Sequence, residues 1–199
     1  MWKLNTGEAS QESKADESDD TDSVESSSNK IYFYSEVNKA AILQFNQQLT
    51  EVSNKLRHAA ITYDIPTPPV HVHINSGGGS LLDGFAAVDY IKNCKAPVHS
   101  IIDGSAASAA TLMSVVATKR MMYKHSFMLI HQLSSGLWGK YEDLIDDMKN
   151  SSLFMDTINE IYTAHTKIPS KTLKEMLKRD LWFDAKTCLK YGLVDKIIE

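Results

Sequence analysis

The chain has 199 residues, 43% of them hydrophobic, which suffices for one substantial core and predicts a single folded domain. Its net charge of −4 is unevenly spread: residues 1–29 hold eight acidic side chains against Lys3 and Lys14, leaving a body near +2 with no basic field for nucleic acid. Cys94 and Cys188 lie far apart without a CxxC, and no apolar run approaches the roughly 18 residues of a membrane span or forms a signal core; a soluble, cytoplasmic protein without a disulfide framework, zinc site or membrane partner is expected.

Residues 1–29, rich in Ser, Asp and Glu, are predicted to lack structure, as a solvated tail, a removable propeptide or a mobile segment near an entrance. The folded domain is expected over 30–199. It opens with the β-rich run IYFY (31–34), after which Ser35 is placed to cap a helix with Ile42, Phe45, Leu49, Val52 and Leu56 at helical spacing. DIPTPP (64–69) breaks that helix, VHVHIN (70–75) alternates as a strand, and GSLLDGFAAVDYIKNC (79–94) reads as a second helix. VHSIIDG (98–104) is a predicted strand, with a helix following from GSAASAATLM (104–113). KRMMY (119–123) and SFMLIH (126–131) are two further strands. A long helix from Lys140 to about Thr166 carries Leu144, Met148, Met155, Ile158 and Tyr162 on one side. Pro169 starts the next helix, Asp184 a short one, and LVDKII closes the chain as a strand. Strands alternating with helices predict an α/β domain with largely parallel pairing.

Three stretches could carry chemistry. In NSGGGS (75–80), between a strand and a helix, consecutive glycines let backbone N–H groups converge on a ligand. The nucleotide reading fails: GxxxxGK[ST] is absent, and Leu82 stands where GxGxxG counted from Gly77 needs its third glycine. An anion pocket for a developing oxyanion, or a plain turn, remains. In GSAASAAT, small residues around Ser108 would admit a substrate chain, although GxSxG is absent because Ala106 and Ala110 hold the glycine positions. Read alone, Ser108 could equally bond back into its own helix, with Ser105 the more natural helix start. His131 ends an apolar strand, where either a packed histidine or a rigidly held general base would sit. An orienting carboxylate would complete a serine hydrolase, and residue chemistry alone does not single it out among 25 acids; Asp180 in KRDLWF is one candidate.

Taken together, INSGGGSLLDG, GSAASAA, MLIHQ and KRDLWFDA…YGLVD resemble the Clp protease proteolytic subunits, in order and over residues 31–199. The resemblance implies a crotonase-like α/β single domain with parallel β layers, flanking helices and a long handle helix. It implies a serine endopeptidase with Ser108 as nucleophile, His131 as base, Asp180 as orienting acid, and the N–H groups of Gly79 and Ala109 as oxyanion donors. It also implies two stacked heptameric rings meeting along the handle, with Gln132 and Arg179 near that contact, and unfolded chains fed in by an AAA+ unfoldase. No metal or cofactor is implied.

Several positions depart from the family pattern. The loop proline is Gly77, and the glycine pair after the histidine segment is Ser135 and Gly136. His71, His73 and Asn93 replace apolar, mostly aromatic residues of the family's chaperone-docking pocket. Loss of apolar anchors weakens such a pocket, so altered or absent unfoldase docking is expected, or docking through mixed rings with host subunits. The competing readings are a weak or inactive ring subunit that modifies a host complex, and a crotonase-type acyl-CoA enzyme, which would have no use for the serine, histidine and aspartate together.

Overall fold

The computed structural model describes residues 23–199. Residues 1–22, most of the expected tail, lie outside the described residues. The boundary expected at residue 29 is corrected: β1 (Ser23–Ser27) pairs antiparallel with β2 (Lys30–Tyr34) through a tight turn in which Ser28 has φ +59°. Val24 is buried, and its carbonyl accepts from Gln44 Nε2 and Gln48 Nε2, both at 2.7 Å. One apolar side chain and a hairpin ladder suffice to order a segment whose composition reads as tail.

The 25-residue helix α1 (Lys39–Tyr63) buries Ile42, Phe45, Leu49 and Val52, the stripe its spacing predicts. Its cap is Asn38, whose side chain accepts from Ala41 N–H, rather than the expected Ser35. The reason is non-local. Val37 bridges to Gly79, its N–H donating to Gly78 O and its carbonyl accepting from Ser80 N–H, which keeps the chain extended past Ser35. Phe33 and Phe45 meet edge-to-face at 5.8 Å, a geometry worth about 1 kcal/mol beyond area burial.

Next come β3 (Val70–Ser76), α2 (Leu81–Asn93), β4 (Val98–Ala107), α3 (Ala109–Val115) and β5 (Lys119–Tyr123). The remainder is β6 (Phe127–Leu129), α4 (Tyr141–His165), α5 (Ser170–Leu177), β7 (Trp182–Phe183), α6 (Ala185–Tyr191) and β8 (Lys196–Ile198). The main sheet runs β1-β2-β3-β4-β5-β8 and is parallel from β2 onward. Crossovers through helices make parallel pairing the natural outcome. All seven residues of α3 are buried, and Gly84 of α2 lets that helix pass close over Ala109.

β4 departs most from the sequence expectation. It continues through Ser105, Ala106 and Ala107 instead of turning helical at Gly104, so Ser105 is a strand residue bonded to Asn75 Oδ1. It also changes partner along its length: His99–Ile102 pair with β5, and Ser105–Ala107 with β6, which in turn pairs antiparallel with β7. Low-propensity small residues stay extended there because Phe127, Met128 and Leu129 supply the ladder. Arg120 of β5 clamps three segments, reaching Asp195 before β8, Gly192 O after α6 and His165 O at the end of α4.

Candidate active site

Ser108 occupies the single residue between β4 and α3, with φ +53° and ψ −127°. A non-glycine residue there carries strain on the order of 1–3 kcal/mol, so its surroundings must hold it. Ser108 N–H donates to Leu129 O at 2.9 Å, and Ser108 O accepts from Thr111 N–H at 3.0 Å and Thr111 Oγ1 at 2.6 Å. Beneath it lies Gly78, at φ +96°.

His131 follows β6 by two residues, and Gln132 N–H donates to Leu177 O at 2.7 Å, tying this segment to the end of α5. Asp180 lies three residues beyond Leu177 and two before β7, whose Trp182 and Phe183 pair with Leu129 and Met128. Two anchors therefore bring the histidine and the acid side by side. His131 Nε2 is 2.8 Å from Ser108 Oγ, and Nδ1 is 3.0 Å from Asp180 Oδ1. A carboxylate only accepts, so it fixes the proton on Nδ1 and leaves Nε2 to accept from the serine hydroxyl. His131 is partly buried, whereas the Asp180 side chain is 79% exposed.

Gly79 and Ala109 line the same cleft of about 280 Å³ as Ser108 and His131. The Val37 bridge uses Gly78 O and Ser80 N–H, so it leaves Gly79 N–H uncommitted. Ala109 is the first residue of α3, where helix geometry offers its N–H no partner. The arrangement can deliver an activated hydroxyl to a carbonyl carbon beside two backbone donors. Gln132 also lines the cleft, and Arg179 lies exposed beside Asp180.

The other sequence-flagged positions separate within one chain. His73 is buried with Nδ1 2.7 Å from Asp103 Oδ2, and it stacks on Tyr32 at 4.8 Å. Tyr34 O–H donates to the same Asp103 oxygen, and burial together with that carboxylate pushes the phenol above its usual range. His71 stacks on His99 at 5.5 Å; burial and neighbouring positive groups hold both below the ordinary histidine value. Asn93 instead sits at the end of α2, donating to Asp89 O and lining an α1–α2 groove that neither His71 nor His73 lines. Sequence reasoning missed Asp103, though an acid inside an otherwise apolar strand is a signal. It also missed Thr111 and Tyr162, joined by a 2.5 Å hydroxyl contact behind Ser108. Their signal was a polar oxygen inside an otherwise apolar stripe. Among the described residues no group of three or more His, Cys, Asp or Glu could hold a metal, and no helix is long and apolar enough to cross a membrane.

The family model of the Clp protease matches residues 24–199. An ATP-dependent Clp protease proteolytic subunit of Deinococcus radiodurans is 34% identical over 136 residues, 67% of each chain. A proteolytic subunit 1 of Protochlamydia amoebophila is 33% identical over 153 residues, covering 75% of this chain and 73% of that one. Among solved structures, a ClpP1 mutant from Listeria monocytogenes aligns with TM-score 0.75 over 86% of this chain and 92% of its own, at 23% identity, which establishes the shared α/β fold. With the family model spanning all but one of the described residues, this chain belongs to the Clp protease family.

Proposed function

We propose that this protein is a serine endopeptidase whose nucleophile is Ser108, general base His131 and orienting acid Asp180. The supporting observation is the His131 ring, within hydrogen-bond reach of the serine oxygen on one side and the carboxylate on the other. In the reaction, Ser108 Oγ attacks a peptide carbonyl carbon as its proton passes to His131 Nε2. Negative charge develops on the carbonyl oxygen, which Gly79 and Ala109 N–H stabilise; one such donor is worth about 3 kcal/mol. The C–N bond breaks as His131 returns the proton to the leaving amine. Water, deprotonated by His131, then releases the acyl group and restores Ser108. Asp180 stabilises the imidazolium in both halves and keeps its own charge.

The same reading extends to assembly. Trp138, fully exposed, and Tyr141, Leu144 and Met148 form an apolar stripe that ends in α4, an unusual surface for a free monomer. Two stacked heptameric rings meeting along this handle would cover it and enclose the cleft, in the cytosol, with unfolded chains supplied by an AAA+ unfoldase or through mixed rings. A second reading, a ring subunit of low activity, draws on the exposure of Asp180, where water competes for the imidazole. Hydrolysis of a short fluorogenic peptide by the purified protein, beside Ser108→Ala, tests the proposal. Turnover lost in the variant is expected; equal rates in both would end the peptidase reading and leave the ring-subunit one.

A further inference from the structure

Ser108 O faces a buried chain of hydroxyls that ends on a different element. Thr111 Oγ1 lies 2.6 Å from Ser108 O and 2.5 Å from the Tyr162 hydroxyl of α4. Thr111 is fully buried and Tyr162 is 1% exposed. A threonine hydroxyl has one proton, and the carbonyl can only accept it, so the proton of the Tyr162–Thr111 bond must come from the phenol. The chain is therefore directional: Tyr162 O–H donates to Thr111 Oγ1, and Thr111 O–H donates to Ser108 O. Each bond polarises the next in this buried site.

The carbonyl held in this way belongs to the peptide plane joining Ser108 to Ala109, the plane that also carries Ala109 N–H. In a planar trans peptide the C=O and N–H point in opposite directions. Holding the carbonyl back toward Thr111 turns the N–H forward toward the cleft that Ala109 lines. The pairing of φ +53° with ψ −127° at Ser108 sets this plane where the backbone would not choose it unaided.

We propose that Tyr162 is a positioning residue that, through Thr111, orients the Ala109 N–H toward the transition-state oxyanion. This rests on the serine-peptidase reading above. Tyr162 touches no reacting atom. Its ring fills apolar space beside Ile158 and Leu112, which a phenylalanine would fill equally well, so the inference concerns the hydroxyl alone.

Tyr162→Phe in the full-length assembled protein tests it. Because an oxyanion donor acts in the transition state, kcat should fall about 10- to 100-fold while KM changes less than about threefold. Affinity for a peptide boronate, which forms a tetrahedral adduct on serine, should fall by the same factor as kcat/KM. Thr111→Val should cost a similar factor, the double variant little more than either alone, and Thr111→Ser should stay near wild type. A purely structural role would instead lower thermal stability without the kcat and boronate changes. Unchanged kcat in Tyr162→Phe, or a loss confined to KM with boronate affinity intact, overturns the proposal. Should that variant fail to fold, Thr111→Val with unchanged kcat overturns it equally. If the wild type and Ser108→Ala hydrolyse the peptide alike, the underlying peptidase reading has failed, an outcome distinct from any of these.

Discussion

Gly78 packs against Ser108 so closely that a Cβ on Gly78 would lie 2.6 Å from Ser108 Cβ and 2.6 Å from Ala107 O. Neither neighbour can yield, since one belongs to a strained backbone and the other to the β4 ladder. Gly78→Ala should therefore displace the Ser108 turn and lower kcat/KM for a short peptide by about 100-fold or more, the scale of an ångström-level misplacement. Gly77 makes the contrast: nothing lies within 4 Å of a Cβ there, and its φ is not positive. Gly77→Ala should raise stability by about 0.4–1 kcal/mol through the unfolded chain, read as an upward shift in denaturant midpoint.

Asp180→Asn tests how much the exposed carboxylate contributes. A buried triad aspartate lost to asparagine costs about 10⁴-fold in kcat through the wrong tautomer. Here solvent already screens the pair, so a smaller loss of about 10²–10³-fold is expected, with KM nearly unchanged. A loss within threefold, measured by steady-state hydrolysis, would remove Asp180 from the machinery.

The His71–His99 stack predicts a pH dependence of stability. Burial first, then the neighbouring positive groups His73, Lys30 and Lys119 around His71, and His71 and Lys119 around His99, hold both folded-state values below the ordinary 6.5. The unfolded chain thus takes up protons that the folded one refuses. The stack's contribution is complete above pH 6.5 and is lost as pH falls from there through the lower folded values. The drop in Tm between pH 7.5 and 5.5 should shrink in a His71→Phe/His99→Phe variant; an equal drop in both proteins would contradict this.

Leu144 and Met148 lie one turn apart on the exposed face of α4. Leu144→Glu with Met148→Glu should leave the protomer folded by circular dichroism and shift sedimentation toward smaller species, because each buried apolar side chain contributes about 1.5–3 kcal/mol to a contact. Unchanged sedimentation would place the assembly contact elsewhere.

Local patterning revealed the parallel strands and the long helices, since alternation at Val70–Asn75 and helical spacing at Ile42–Val52 are written in neighbouring residues. It failed where pairing partners decide. β1 is read as tail because acidic residues outweigh the single buried Val24, and β4 past Gly104 is read as helix because its ladder comes from β6, more than twenty residues later. The meeting of Ser108, His131 and Asp180 depends on the Gln132–Leu177 bond and the β6–β7 register, neither visible in local sequence. Resemblance to a family supplied Asp180 where residue chemistry could not choose. Asp103 and Tyr162 lay outside every motif considered.

The switch of β4 from β5 to β6 divides the molecule's resistance to heat. His131 and Asp180 depend on β6 and on the two-residue β7, a small flap hinged on the last three residues of β4 that adds Met128 and Ile130 to the core, while β5 pairs with the other half of that strand. Fraying of the flap would separate imidazole from hydroxyl with the helices and main sheet intact. On warming, hydrolysis should therefore disappear several degrees before the far-ultraviolet signal, and cooling from that interval should restore it in full.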